Sequence, residues 1–381
     1  RSDGHDFIGQ CFEKGAACVI SEKELPDEER SYIQVESSLQ ALKDLALLYR
    51  NNLDVKVVGI TGSVGKTSTK ETISSVLSEK YRVLKTLGNF NNEIGLPLTV
   101  FRLTEDDEVA VLEMGISDFG EMDRLSKIAQ PDICVITNIG FCHLENLGTR
   151  DGILKAKTEI FNHMNPDGIV IVNGDDDKLS TISQVHGKRP LVFGISNKDG
   201  VYADNIKSLG LDGTSFTIHG IKTSDNYSTF DLTVPVPGHH MVYNAMAAAL
   251  VGSVLGLSSI EIERGVKNLK TIAGRNNIIK ENGFTIIDDC YNANPVSMKA
   301  SLDVLDTAIG RKVAILGSMF ELGENEKQMH YDVGMYLGTK DIDVLITAGD
   351  LAAQIAAGTR AYIDTNYNAH GCEVHDFETR D

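Results

Sequence analysis

Short apolar runs and helical stripes alternate along most of this chain. The run "VKVVGI", ending at Ile60, is β-branched and continuous, the pattern of a strand buried on both faces of a parallel sheet. It gives way to "KTSTKETISSVLSEKY", where Thr69, Ile73, Val76 and Leu77 recur at helical spacing, so a helix is predicted to begin at Lys66. Strand-like runs return in "EVAVLEMG" (108–115), "DICVITNIG" (132–140) and "GIVIVNGDD" (168–176), with helical stretches between them. That alternation predicts an α/β fold with a mostly parallel sheet covered on both faces. Upstream, residues 1–53 read as a small α/β piece ending in a helix that carries Leu39, Leu42, Leu45 and Leu48. Residues 200–236 alternate apolar and polar positions and predict a small antiparallel insert, and Ala245–Leu257 predicts an alanine-rich apolar helix. Beyond "TIAGRNN" (271–277) a second α/β pattern begins, giving three modules at 1–53, 54–273 and 274–381.

Composition narrows the class. The 381 residues suffice for two or three cores, and 42% apolar with 24% charged residues is ordinary for a globular protein. No apolar run is long enough to span a bilayer, and no signal peptide is evident, although the chain starts without methionine. A formal charge of −18 argues against a general nucleic-acid binder. Cys11, Cys18, Cys134, Cys142, Cys290 and Cys372 show no metal-ligand spacing, which points to a reduced, cytoplasmic setting.

An acidic protein that binds phosphate must build its positive field locally, and "GITGSVGKTSTKE" (59–71) is suited to do so. Gly62 and Gly65 permit a tight turn close to an anion, with Ser63 and Val64 between them. The helix that follows offers unpaired N–H groups from its first turn, Lys66 to Ser68. Lys66 can reach β- and γ-phosphates and the Thr67 hydroxyl can hold Mg²⁺. The strict G-x-x-x-x-G-K-[ST] pattern fails at Ile60, leaving the shorter G-x-x-G-K-T in a strand–loop–helix setting.

Four further positions carry candidate chemistry. Glu113 ends a strand, where a parallel sheet presents ligand-binding groups; it can hold Mg²⁺ or be an ordinary solvated acid. His143, in "FCHLENLG", leaves the same sheet edge and can be a metal ligand, a substrate contact or neither. In "DGILKAKTEIFNHM", Lys157 shares an apolar helix face with Ile153, Ile160, Phe161 and Met164, whereas Lys155 points away. A lysine so placed must snorkel, pair, or lose its charge. A neutral amine can add CO₂, and the carbamate would be an oxygen ligand for Mg²⁺. "DDCYNANP" (288–295), with Arg275 upstream, can serve ribose hydroxyls and a transferring phosphoryl group, or be a turn capped by Asx side chains. "NGDDD" (173–177) reads as a solvated loop.

In order along the chain, "DGHDFI", "TGSVGKTSTKE", "GNFNNEIGLPLT", "LEMG", "ITNIGFCHLENLG", "AKTEIF", "DDCYNANPVSM" and "MFELG" together resemble the Mur ligases. The resemblance implies a partial N-terminal UDP-substrate domain, a central ATP-binding domain built around the phosphate loop, and an incomplete Rossmann-like C-terminal ligase domain. It also implies that the family's first domain begins upstream of Arg1 and its last runs past Asp381. The activity implied is ATP-dependent amide synthesis in peptidoglycan precursor formation, by a monomer. The carboxylate of UDP-N-acetylmuramoyl-tripeptide becomes an acyl phosphate, which the amine of D-alanyl-D-alanine then attacks. By position, Lys66 and Thr67 resemble phosphate and Mg²⁺ contacts, and Glu113 and His143 resemble ligands of two Mg²⁺ ions. Lys157 resembles the family's carbamylated lysine. His240, Asn244, Arg275, Asp289 and Asn294 resemble its nucleotide contacts, and Asn89, Asn91 and Asn92 a substrate-facing loop. The chain departs from the family at Ser318, where aspartate is usual, and at Met241, where related ligases often carry asparagine.

Two other readings compete. A sister ligase that adds an amino acid, or a folylpolyglutamate synthase, would share the phosphate loop but not "NFNNEIGLPLT" and "YNANP". A GTPase-like switch would need N-K-x-D, yet the nearest match at Asn197 ends in glycine, and the one D-x-x-G, Asp6 to Gly9, lies upstream of the loop.

Overall fold

A computed structural model describes residues 3–25, 31–367 and 369–378. Within them, the first module pairs β1 (Val19–Ser21) with β2 (Tyr32–Gln34) in parallel, beside helices α1 (Ile8–Glu13) and α2 (Ser38–Asn51). The predicted helix at the end of this module is α2, but its leucines are not its packing face. Lys43, Ala46 and Arg50 are buried, while Leu39, Leu45 and Leu48 are exposed. Ala46 enters the core of the central module, and the Arg50 guanidinium donates to the carbonyls of Leu53 and Val55 at 3.0 Å each. This guanidinium binds the chain leading into the next strand.

The central module is a nine-stranded sheet. Its strands are β3 (Lys56–Thr61), β4 (Val83–Lys85), β5 (Val109–Glu113), β6 (Ile133–Ile136), β7 (Ile169–Asn173), β8 (Leu191–Gly194), β9 (Val201–Ser208), β10 (Thr214–His219) and β11 (Thr229–Val234). They run in the order β11-β10-β9-β8-β7-β6-β3-β5-β4. All pairings from β4 to β9 are parallel, and only β9–β10 and β10–β11 are antiparallel. The stretch predicted as a separate antiparallel insert therefore extends the main sheet, because β9 pairs in parallel with β8.

Helices cover both faces: α3 (Lys66–Leu77), α4 (Gly95–Val100), α5 (Glu121–Ala129), α6 (Leu144–Leu147), α7 (Arg150–Thr158), α8 (His240–Val254) and α9 (Ser259–Lys267). Side chains alternate along β3, so Val58 and Ile60 join one core with Ile73, Val76 and Leu77 of α3. Val57 joins the other, with Met122 and Leu125 of α5. Because α3 and α5 lie on opposite faces, the loops leaving adjacent strands β3 and β5 diverge. They open a crevice at the carboxyl edge, where doubly wound sheets bind ligands. Small residues let α8 and α9 approach α3 closely. A Cβ on Gly265 of α9 would lie 2.4 Å from Val76 Cα.

The last module has an antiparallel hairpin of β12 (Asn277–Glu281) and β13 (Phe284–Asp288) and a parallel sheet of β14 (Val313–Gly317), β15 (Val344–Ala348) and β16 (Glu373–Phe377). Asn282 and Gly283, both at positive φ (49° and 81°), form the hairpin turn that an Asn-Gly pair favours. Helices α10 (Pro295–Asp306), α11 (Glu326–Leu337) and α12 (Ala353–Thr365) pack on the parallel sheet. Among the described residues no helix is long and apolar enough to cross a membrane.

The α3–α9 contact yields a stability prediction. Gly265→Ala must push the helices apart and should cost about 1–3 kcal/mol, lowering the thermal unfolding midpoint by several degrees. Gly9→Ala on α1, with no neighbouring atom within 4 Å of the added carbon, should leave the midpoint unchanged or slightly higher. Equal midpoints for Gly265→Ala and the parent would contradict this packing.

Candidate active site

The phosphate loop is shaped by two glycines and by the strand beside it. Gly62 and Gly65 hold φ of 150° and 81°, and a Cβ on Gly62 would lie 1.9 Å from the Thr137 hydroxyl. Glycine is thus required there both for conformation and for space. Ser63 and Val64 are clamped from the end of β6. The Asn138 carboxamide accepts from Val64 N and donates to Val64 O, each at 2.9 Å, and the Thr137 hydroxyl donates to Val64 O at 2.7 Å. Ser63 Oγ accepts from Gly140 N at 2.8 Å. Thr137 and Asn138 belong to the site as much as the glycines do. They lie within "ITNIGFCHLENLG", but no role was legible there; the parallel register Thr61↔Ile136 brings them alongside the loop.

α3 begins at Lys66, so the N–H groups of Lys66, Thr67 and Ser68 form its unpaired first turn. The Lys66 ammonium lies across the loop and donates to the carbonyls of Gly62 at 2.9 Å and Ser63 at 3.4 Å. Register then brings in the acid. Ile60 pairs with Glu113 across β3 and β5, which sets the Glu113 carboxylate level with the start of the loop. Glu113 is 2% exposed. Its Oε1 accepts from the Thr67 hydroxyl at 3.2 Å and from Asn91 Nδ2 at 2.8 Å, and its backbone N–H donates to Thr86 Oγ1 at 3.0 Å. Oε2 is buried and makes no hydrogen bond. A buried anionic oxygen without a donor is costly, and a hard cation is the partner that carboxylate and hydroxyl oxygens best suit. The donor set therefore fits Mg²⁺.

Of the asparagine loop, Asn91 reaches into the site. Asn92 instead turns its Oδ1 to the N–H groups of Ile94 and Gly95, capping α4, and Asn89 is exposed. Glu93, next in the loop, pairs with Lys43 of α2 at 2.5 Å and with Arg124 of α5. The loop thereby joins the first module to the site.

Lys157 is 1% exposed on α7, with Ile153 and Ala156 beside it. Its ammonium makes no hydrogen bond or ion pair among the described residues. Burial, reinforced by the charge of Lys66 and opposed by Cys142, pushes its pKa down to about 8. His143 leaves β6 in the left-handed region, φ 55°. It feels the charges of both Lys157 and Lys66, and burial together with those charges lowers its pKa against the pull of Glu321. Nδ1 lies 2.8 Å from Glu321 Oε2, so the last module supplies its partner. The structure thus joins Thr67 to Glu113 directly and gathers Lys66, Lys157 and His143 into one electrostatic neighbourhood. Among the described residues no three His, Cys, Asp or Glu side chains converge as a ready-made metal cage.

A second cluster lies where the central and last modules meet. Ser68, Glu71, Val236, Met241, Leu269, Thr271, Arg275 and Asn276 line a shallow, open cleft. Asn244 accepts from Thr69 of α3 at 3.0 Å. His240 is half-buried, its enclosure lowers its pKa, and its Nε2 meets Asn276 Nδ2 at 3.2 Å. Arg275 stacks on the Tyr291 ring at 4.2 Å. Asp289 accepts from Asn276 N at 3.1 Å and from the Ser301 hydroxyl. Asn294 caps α10, accepting from Val296 N and Ser297 N at 3.0 Å each. Ser318 accepts from Ala352 N at 3.2 Å.

"NGDDD" is more than a solvated loop. Asp175 accepts three backbone N–H groups at 195–197 and the Tyr243 hydroxyl, Asp176 accepts from Ile139 N at 2.7 Å, and Asp177 pairs with Arg150. These contacts hold the segment that carries Asn138 and Gly140 against the next strand.

Known proteins agree with this geometry. Residues 60–252 match the Mur ligase middle domain and residues 274–381 the Mur ligase, glutamate ligase domain. The chain is 41% identical over 381 residues to the UDP-N-acetylmuramoyl-tripeptide–D-alanyl-D-alanine ligase of Bacillus subtilis (strain 168), covering 99% of this chain and 81% of that protein. Among solved structures, MurF from Acinetobacter baumannii superposes with a TM-score of 0.86 at 32% identity, covering 100% of this chain and 86% of that one. MurF from Thermotoga maritima in complex with ADP gives 0.83 at 31%, covering 99% and 88%. On its sequence, fold and phosphate-loop geometry alike, the chain belongs to the Mur ligase family.

Proposed function

We propose that this ligase joins D-alanyl-D-alanine to UDP-N-acetylmuramoyl-tripeptide at the expense of ATP, through an acyl phosphate, in peptidoglycan precursor synthesis. The observation that carries the reading is the Glu113 carboxylate, buried beside Thr67 at the mouth of the glycine loop, with one oxygen lacking a donor.

The loop N–H groups from Gly62 to Thr67, the start of α3 and the Lys66 ammonium bind the β- and γ-phosphates. Lys66 is placed to exchange the Gly62 carbonyl for a phosphate oxygen. The terminal carboxylate of the tripeptide attacks the γ-phosphorus, the bond to the bridging oxygen breaks, and ADP leaves. The dipeptide amine then attacks the acyl carbon, and phosphate departs with the C–O electron pair and the amine's proton. Arg275 stabilises negative charge on the transferring group from the cleft it shares with the start of α3. His240 and Asn244 hold the base end, and Asp289 and Asn294 the ribose end. Of the asparagine loop, Asn91 faces the substrate, while Asn92 holds the loop by accepting from the start of α4.

Thr67, Glu113, His143 and, once carbamylated, Lys157 would hold two Mg²⁺ ions, which would supply positive charge against the phosphoryl oxygens. Lys157 is suited to that modification because its amine is buried, unpaired and lowered to about pKa 8. Addition of CO₂ to the neutral amine releases one proton and leaves an anion. His143 would then exchange Glu321 for an ion. The protein acts as a cytoplasmic monomer, with domain boundaries near residues 53 and 273.

Two outcomes follow. Phosphate release should require ATP, the UDP-linked tripeptide and D-alanyl-D-alanine together; equal release without the dipeptide, or with free amino acids in its place, would contradict the assignment. Lys157→Ala should lower ligation roughly 100-fold, and millimolar formate or acetate should restore part of it. Full activity without added carboxylate would reject the carbamate.

A further inference from the structure

Behind Glu113 lies a charged group that phosphate binding does not use. Lys70 is one turn beyond Lys66 on α3 and is 1% exposed. Its ammonium donates to Thr86 O at 2.8 Å and lies 3.0 Å from Glu71 Oε1 and 3.9 Å from Glu113 Oε2. Glu71 Oε2 in turn pairs with Lys85 of β4. Thr86 anchors both sides of the arrangement, since its carbonyl holds the lysine and its hydroxyl holds the Glu113 backbone. The ammonium is therefore fixed. It sits near Glu113 Oε2 without hydrogen-bonding it.

Around the loop three lysines, Lys66, Lys70 and Lys85, face two glutamates, Glu71 and Glu113, so the free protein has an excess of positive charge where a dication would bind. Among the described residues the protein offers one carboxylate and one hydroxyl there rather than a cage. The triphosphate of a nucleotide reverses the sign of the local field and adds oxygen ligands.

We propose that Lys70 is a positioning residue that makes cation loading at Glu113 conditional on bound nucleotide. Its fixed ammonium neutralises the buried carboxylate in the free protein and opposes a dication until phosphate arrives. The inference rests on reading Glu113 as a cation ligand. A purely structural role for Lys70 makes the opposite forecast, because losing a structural support should weaken cation binding or leave it alone.

The test is Mn²⁺ titration of the full chain, following free Mn²⁺ by electron paramagnetic resonance, with and without a non-hydrolysable ATP analogue. Lys70→Met should tighten Mn²⁺ binding without nucleotide roughly fivefold or more, by removing a nearby like charge in a low-dielectric site, and change binding with the analogue much less. Glu71→Gln releases Lys70 toward Glu113 and should weaken binding without nucleotide; this variant decides the matter if Lys70→Met does not fold. Unchanged or weaker binding in a folded Lys70→Met, or tighter binding in Glu71→Gln, overturns the inference. Glu113→Gln separates the two claims. Loss of Mn²⁺ from its analogue complex supports the ligand reading, and undiminished binding overturns that reading.

Discussion

A carboxylate taken out of water must be given partners, and the placement of Glu113 constrains much of what surrounds it. The anion sits at the end of a strand buried on both faces, where an isolated charge would cost several kcal/mol. The fold provides a hydroxyl from Thr67, a carboxamide from Asn91 and an ammonium from Lys70, and leaves one oxygen for something else. The strand register Ile60↔Glu113 makes this possible, because it levels the acid with the loop that follows β3. Slip that pairing by one residue and the carboxylate would face the opposite layer.

The same constraint links the site to its surroundings. The loop that delivers Asn91 is tied through Glu93 to α2 of the first module, while His143, on the far side of the phosphate loop, is tied to Glu321 of the last. The first and last modules therefore each reach the loops of the site through a charged contact.

Much of this was legible in the sequence, where periodicity and local chemistry coincide. The strand before the loop, the helix starting at Lys66, the apolar face bearing Lys157 and the strand-end position of Glu113 follow from residue spacing alone, and all have their expected places. What stayed hidden depends on neighbours distant in sequence. Asn138 and Thr137 matter because β6 lies beside β3, Lys70 because Thr86 comes alongside, and Glu321 because the last module meets a loop of the central one. α2 shows the limit of composition: the helix was legible from its leucines, yet its packed stripe is Lys43, Ala46 and Arg50, and the polar ends of the lysine and arginine find partners. The aspartates of "NGDDD" were likewise misjudged, since the donors they accept from are backbone N–H groups that only the fold assembles.

The most direct measurement is anomalous diffraction from crystals grown with Mn²⁺ and a non-hydrolysable ATP analogue. The account requires an anomalous peak within coordination distance of both the Glu113 carboxylate and the Thr67 hydroxyl. A fully occupied nucleotide whose manganese touches neither side chain would contradict it.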